Sequence, residues 1–432
     1  MLRGDKAVLK NCKIYQMLSS HAKGKHVSFH TPGHKVGKWD ITELFYSDNL
    51  SSPQGCIAEA EKDVAKILGA YKSFLLTDGS TAGVLSILYA AKSLGVKRVA
   101  VFEKSHKSVF NGCQLLGITP LIYTEQESGE IPSLPTMYAL KKDFSELLEK
   151  ADALFVTSPD YYGNVAELSA LHSYCKETGK LLLVDGAHGG HLHFDKTLHA
   201  GAYADMWVDG VHKSLPAFTQ GAVVSAANET YAEALREGVN LFRTTSPSYP
   251  IMASVEYAVK YPQNTCLEEE VKGFISSCAR IYKAKDWTKL CALFGENAYA
   301  AEKELQEKGI YPEFCDGNVV MFYLSPATKK GEWKRLKKEL EKLFIKYPYQ
   351  PVENVKSVHT PLISTENKQT EWVETDHAEG KICACDCGLF PPCTPLIRKG
   401  ERIDKERLSL LKNAANVYGL VDKKILVVKE EE

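Results

Sequence analysis

The chain has 432 residues, 44% of them hydrophobic, enough for two or three domain-sized units around sizeable cores. Its 53 Lys+Arg against 54 Asp+Glu give a formal net charge of -1, which supplies no basic field for a phosphate backbone and argues against nucleic-acid binding. No apolar run approaches the ~20 residues that cross a membrane, and the N-terminus has no secretory core, so a cytoplasmic protein is expected, its 12 cysteines mostly reduced thiols.

Residues 1–20 are expected as an N-terminal segment before a large domain over 21–275. Residues 58–68 put Ala60, Val64, Ile67 and Leu68 on one helical face and stop at Gly69; 73–77 then form a buried strand. Ser80 opens the next helix, with Ala82, Leu85, Leu88 and Tyr89 on one face before Gly95, and 98–102 follow as a strand. Further strands are expected at 153–157, 181–185, 205–208 and 221–225, and helices at 138–150 and 165–177. This alternation, with near-continuous apolar strands, predicts an α/β fold whose mainly parallel sheet is flanked by helices. Beyond residue 275, strands at 287–293 and 318–324 and helices at 300–308 and 331–346 suggest a smaller α+β domain over 276–432. The mixed charges of 329–346 make a solvated helix face, 351–376 a loop-rich excursion and 429–432 a frayed end.

In sheets of this kind ligands bind beyond the carboxyl ends of the strands, where Ser80, Ser105, His106, Ser158, Asp185 and Lys213 fall. One strand delivers Asp185; a second short strand delivers His212 and Lys213 in Val208-Asp-Gly-Val-His-Lys213. A lysine that condenses with an aldehyde, and a carboxylate that keeps a pyridine nitrogen protonated, are what pyridoxal phosphate requires. Taken singly, Asp185 also suits a helix cap and Lys213 a solvated side chain. Asp78-Gly79-Ser80-Thr81-Ala82-Gly83 lies between strand and helix, so its backbone N–H groups and two hydroxyls suit a phosphate, or an ordinary N-cap of the same geometry.

Six further segments occur in one family's order: Phe29-His-Thr-Pro-Gly-His-Lys35, Asp78-Gly-Ser-Thr-Ala-Gly83, Ser105-His-Lys-Ser-Val109, Ser158-Pro-Asp-Tyr-Tyr-Gly163, Thr244-Thr-Ser-Pro-Ser-Tyr249 and Phe390-Pro-Pro-Cys-Thr-Pro-Leu396. On these, residues 10–410 resemble the Orn/Lys/Arg decarboxylases of the aspartate aminotransferase fold (pyridoxal-phosphate fold type I), in a short form without the N-terminal receiver-like wing. The resemblance implies pyridoxal 5'-phosphate on Lys213 and decarboxylation of an amino acid, arginine, lysine or ornithine before others, to the amine of polyamine biosynthesis and CO2. It implies that His106 stacks on the pyridine ring, that His188 lies near the phenolic oxygen or the substrate carboxylate, and that Ser80, Thr81, Ala82 and His212 serve the phosphate. Thr244, Thr245, Ser246 and Ser248 would cross an interface to the partner's phosphate, making a homodimer or a higher homo-oligomer. The plainer alternatives are His188 bonding to Asp185, His212 pointing away, and Thr-Ser-Pro-Ser as turn chemistry.

The chain departs from the family pattern at Gly186, where the family has an acid, and at Gly210 and Val211, where it has a hydroxyl that contacts the phosphate. The family's C-terminal acid becomes Cys385. A basic substrate then needs another carboxylate; Asp386 requires a bulged strand, whereas Asp160 already lies on the ligand side of the sheet and is favoured. Cys383, Cys385, Cys387 and Cys393 do not follow the C-x2-C spacing of zinc knuckles, so no metal is expected and the thiols are taken as strand cysteines beside the site. An aminotransferase or lyase reaction on the same scaffold, or cofactor binding without turnover, are the alternatives to decarboxylation.

Overall fold

The computed structural model describes residues 5–35, 37–124, 131, 134–351, 365, 368–389, 395–413 and 416–429. A seven-stranded sheet is built from β1 (Lys72–Leu76), β2 (Arg98–Phe102), β3 (Thr119–Tyr123), β4 (Ala153–Thr157), β5 (Leu181–Gly186), β6 (Met206–Asp209) and β7 (Ala222–Ala226), in the order β1-β7-β6-β5-β4-β2-β3. β7 runs antiparallel to β1 and β6; β2 through β6 are parallel. The period of two sends alternate side chains to opposite faces. Leu154, Val156, Leu182 and Val184 enter one core, and Ala153, Phe155 and Leu183 the other, which is why these strands are apolar throughout.

Several expectations change on packing grounds. β3 contains Pro120, which reads as a strand breaker, yet β3 is an edge strand bonded only to β2, where a missing N–H is tolerated. The helix Gly79–Ser93 is buried on most sides rather than along one face, and Leu85 and Tyr89 are its less buried positions. It lies between the sheet and the helix Glu229–Phe242, where a Cβ on Gly83 would meet Val208 Cγ2 at 2.5 Å and one on Gly238 would meet Ser86 O at 2.5 Å. The expected helix 138–150 is two, Met137–Asp143 and Ser145–Lys150, and the next begins at Leu168. His212 and Lys213 sit not on a strand but on the one-turn helix Val211–Ser214 that follows β6.

The first 20 residues are not a separate segment. Ile14 and Leu18 of the helix Lys13–Lys23 are buried in the main core, and the buried Glu256 accepts the N–H of Lys13 (2.7 Å) and of Ile14 (2.9 Å) at that helix's start. Beyond the large sheet lie two more units instead of one, the first with a core on each face of its sheet. The first holds a sheet ordered β8 (Lys289–Leu293), β10 (Val319–Tyr323), β9 (Phe314–Cys315) and packs Trp287, Phe294 and Trp333. The second holds two three-stranded sheets. One is β11 (Thr370–Glu374), β16 (Lys424–Val428), β15 (Leu420–Val421); the other is β13 (Pro395–Ile397), β12 (Cys387–Leu389), β14 (Val417–Tyr418). Among the described residues no helix is long and apolar enough to cross a membrane. Most of the excursion 351–376, and residues 430–432, lie outside the described residues.

Candidate active site

A cavity of about 790 Å3 opens beyond the carboxyl ends of β4 and β5 and gathers Ser80, Thr81, His106, Asp160, Asp185, His188, His212 and Lys213 on its walls. The two parallel neighbours β5 and β6 fix the central pair, since Asp185 ends one and the Lys213 turn follows the other. Asp185 is buried and accepts the Ala187 N–H at 3.0 Å. Burial pushes its carboxyl above the usual range, against the pull of the Lys213 ammonium.

Lys213 Nζ lies 3.2 Å from His188 Nε2, and His188 Nδ1 lies 2.9 Å from the Tyr323 hydroxyl. Burial first, then the charges of Lys213 and Lys289, hold this imidazole neutral by driving its pKa far below the ordinary value. A neutral ring accepting from Lys213 at Nε2 must carry its proton on Nδ1. Nδ1–H therefore donates to Tyr323, whose hydroxyl can pass its own proton toward the Tyr161 carbonyl at 3.3 Å. His188 is thus bound to Lys213 and Tyr323 rather than to Asp185.

His106 caps its own helix, Lys107–Leu116, its Nδ1 accepting the Ser108 N–H at 3.2 Å. Burial, then Lys213 and Lys107, pull its pKa down to about 4, so it presents an uncharged ring to the cavity at neutral pH. His212 also faces the cavity, and its pKa is lowered by burial and then by Lys213.

The helix Gly79–Ser93 begins without a side-chain cap, leaving N–H groups of its first turn beside the cavity with the Ser80 and Thr81 hydroxyls. Gly79, at φ 75°, turns its own N–H to the Gln220 carbonyl at 2.8 Å. Ala82 is buried behind them and does not line the cavity. The hydroxyl of Thr157, on the cavity wall, is buried with no hydrogen-bond partner in the described structure. A basic amine, a buried carboxylate, an uncapped helix start and an unsatisfied hydroxyl around one cavity fit pyridoxal 5'-phosphate.

Two departures from the family pattern have a steric cause. A Cβ on Gly210 would lie 2.2 Å from the Ala187 carbonyl oxygen, and one on Gly186 would lie 2.7 Å from that of Val208. The Asp185 and Lys213 segments therefore pass too closely for side chains. Restoring a hydroxyl with Gly210→Ser should destabilise the protein by about 1–3 kcal/mol through overpacking and weaken cofactor retention. Unchanged urea unfolding with tighter cofactor binding would contradict this close packing.

The remaining expected positions differ in their relation to the cavity. Asp160 lines the cavity, but its oxygens accept from Tyr162 N (2.9 Å), Asn164 N (2.8 Å) and Asn164 Nδ2 (2.8 Å), so it organises the turn that carries it. Its pKa is raised to about 6 by burial. Cys385 and Asp386 are not cavity-lining; Asp386 accepts the Lys399 N–H at 2.8 Å. Thr245 and Ser246 are exposed and off the cavity, as is the segment 29–35. Residues 390–394 of the C-terminal motif, with Cys393, lie outside the described residues; Pro395 and Leu396 reach the cavity wall.

Sequence reasoning missed Tyr323 and Glu313. Glu313 sits on the wall with one oxygen taking the Tyr161 hydroxyl at 2.9 Å. Both come from around the β9–β10 hairpin, a hundred residues or more from Lys213, with no local pattern to mark them.

Residues 38–294 match the model of the Orn/Lys/Arg decarboxylase major domain. An uncharacterized protein of Bacillus subtilis, YaaO, is 28% identical over 479 aligned positions, covering 98% of this chain and 99% of that one. The arginine decarboxylase of the same organism is 25% identical, with 92% of each chain covered. Among solved structures, the constitutive lysine decarboxylase of Escherichia coli superposes with a TM-score of 0.73 at 17% identity, over 98% of this chain and 82% of that one.

Proposed function

Since the chain belongs to the Orn/Lys/Arg decarboxylase family, we propose that it releases the α-carboxyl group of a basic amino acid (arginine, lysine or ornithine) as CO2 and leaves the amine. The observation that carries this reading is the cavity itself, where Lys213, Asp185 and the Lys213–His188–Tyr323 chain meet under a wall rich in acid. Bound there, pyridoxal 5'-phosphate supplies an electron sink for the bond to the departing carboxylate. Lys213 would hold the cofactor, Asp185 would keep its ring nitrogen protonated, Ser80, Thr81 and the helix start would bind the phosphate, and the neutral His106 ring would lie against the pyridine. Lys213 Nζ, oriented by His188 Nε2, is the group that returns a proton to the substrate's Cα.

Six carboxylates line the cavity against four lysine or arginine side chains, an excess that suits a cationic substrate. Most are committed. Glu401 pairs with Arg407, Asp160 holds its turn, and Asp316 accepts from Tyr162 Oη, Asn318 N and Val319 N. Glu313 has one oxygen uncommitted among the described residues, and we assign it to the substrate's distal cation in place of Asp160. Glu313→Gln should raise KM about fivefold, the equivalent of ~1 kcal/mol for a partly exposed ion pair, with kcat little changed. Asp160→Asn should lower stability without moving KM; the reverse pattern would return the role to Asp160.

Two further features support a homodimer working in the cytoplasm. Phe29 and Phe45 are 93% and 99% exposed, aromatic surface that a second copy would cover, and Thr245 and Ser246 stand free to reach a partner's phosphate. The eleven described cysteines are all outside disulfides, as a reducing compartment would leave them. The test of function is incubation of the cofactor-loaded protein with arginine, lysine and ornithine separately, identifying products by mass. Amine and CO2 from one of them support the reading, while a keto acid or no consumption of any of the three overturns it.

A further inference from the structure

We propose that Cys383, Cys385 and Cys387 bind a zinc ion that staples the two C-terminal sheets together. In a regular strand these alternate residues would share a face with their sulfurs spread out. Instead the backbone bends through residues 384 and 385, between the bridge that pairs Cys383 with Val427 and the start of β12 at Cys387, where the register shifts. The bend draws all three sulfurs within 4.8 Å of one another, with Cys383 Sγ 3.9 Å and Cys385 Sγ 3.7 Å from Cys387 Sγ.

Those two separations match the edge of a tetrahedron with Zn–S bonds of about 2.3 Å, which is roughly 3.8 Å. They are far from the ~2.05 Å of a disulfide. Among the described residues the group numbers these three, which supply three corners of the tetrahedron. Binding replaces three S–H bonds by three S–Zn bonds and releases three protons to solvent, and no electron changes hands. Thiolates beside a borderline-soft cation are the donor set that selects zinc over oxygen-seeking ions.

The surrounding backbone packs closely on the sulfurs, which as thiols donate to carbonyl oxygens and would give up those bonds to the metal. Gly419, between β14 and β15, places its carbonyl 3.4 Å from Cys387 Sγ and 3.6 Å from Cys385 Sγ. Its φ is 84°, and a Cβ there would lie 2.7 Å from Cys387 Sγ and 2.3 Å from the Asp386 carbonyl oxygen. Asp386, inside the same bend, accepts the Lys399 backbone N–H at 2.8 Å and so ties the bend to the segment after β13.

Among the described residues this part of the fold has a small core of its own. That core is a cluster of nine buried residues among those described, and two of the nine are Cys383 and Cys387 themselves. Cores this small commonly depend on a metal or a cross-link. The stakes reach the active site, because Arg398, Glu401 and Arg407 of this unit form one wall of the cavity.

Metal analysis of the full-length protein, purified from zinc-supplemented cells, tests the proposal. Equimolar zinc is expected in the parent and in a control, Cys266→Ser, at an exposed thiol away from the cluster. Cys385→Ser, at the half-exposed member, should carry at least tenfold less while keeping the cofactor's absorbance. Cobalt titrated into the metal-stripped parent should produce a thiolate-to-cobalt absorption band, a readout that stands even if the variant fails to fold. Zinc far below equimolar with no cobalt band in the parent, equal zinc in Cys385→Ser, or a disulfide among these three cysteines in zinc-saturated protein would overturn it.

Discussion

Lys213→Ala is expected to lower turnover by on the order of a thousandfold or more and to yield protein without the absorption of covalently held cofactor. The prediction is specific because the cavity region contains a second buried amine. Lys289 Nζ approaches the His188 carbonyl (3.4 Å) and lies 4.3 Å from the centre of the Tyr323 ring, but it is tied to Asp286 at 3.3 Å and to Thr288 Oγ1 at 3.1 Å. Asp286 in turn bonds His191 at 2.8 Å, so Lys289 belongs to a closed, buried ion network. Removing Lys289 should cost about 3–5 kcal/mol of stability by stranding Asp286. Removing Lys213 should cost activity above all and less stability than removing Lys289, since burial already pushes the Asp185 carboxyl it faces toward the neutral form. Turnover and thermal midpoint of the two variants, measured side by side, separate these outcomes; an active Lys213→Ala protein would contradict the assignment.

Asp185→Asn is expected to keep the cofactor and lose at least about tenfold in kcat, with KM affected less. The amide preserves the shape and can still accept the Ala187 N–H, but it carries no charge to hold a proton on the ring nitrogen. Each pKa unit of lost bias is worth ~1.4 kcal/mol, so a tenfold fall corresponds to losing only one such unit. Burial of the native carboxyl leaves little water to substitute for it. Steady-state kinetics of the cofactor-saturated variant check this, and an unchanged kcat would remove Asp185 from the electronic role.

The parallel sheet was legible because its strands are short, apolar and separated by helical periods. Arg98–Phe102 and Ala153–Thr157 fall where the sequence places them. Asp185 and Lys213 were legible for the same reason, since a parallel sheet puts every strand's carboxyl end on one side. β3 was hidden by Pro120, whose tolerance depends on being at an edge, a property of the whole sheet rather than of the segment. Asp160 reaches the ligand side as its place after β4 suggests, but the bonds of its oxygens to Tyr162 and Asn164 belong to a turn that no strand or helix period marks. Tyr323 and Glu313 reach the cavity only through packing of the smaller sheet on the larger. The alternating cysteines suggested a flat strand; the bend that gathers them packs against Gly419, more than thirty residues away.

The most direct measurement is borohydride reduction of the cofactor-loaded parent protein followed by peptide mapping. A phosphopyridoxyl group is expected on the peptide containing Lys213 and on no other. A label on Lys289, Lys107 or Lys35, or no label on protein that shows the cofactor's absorbance, would contradict it.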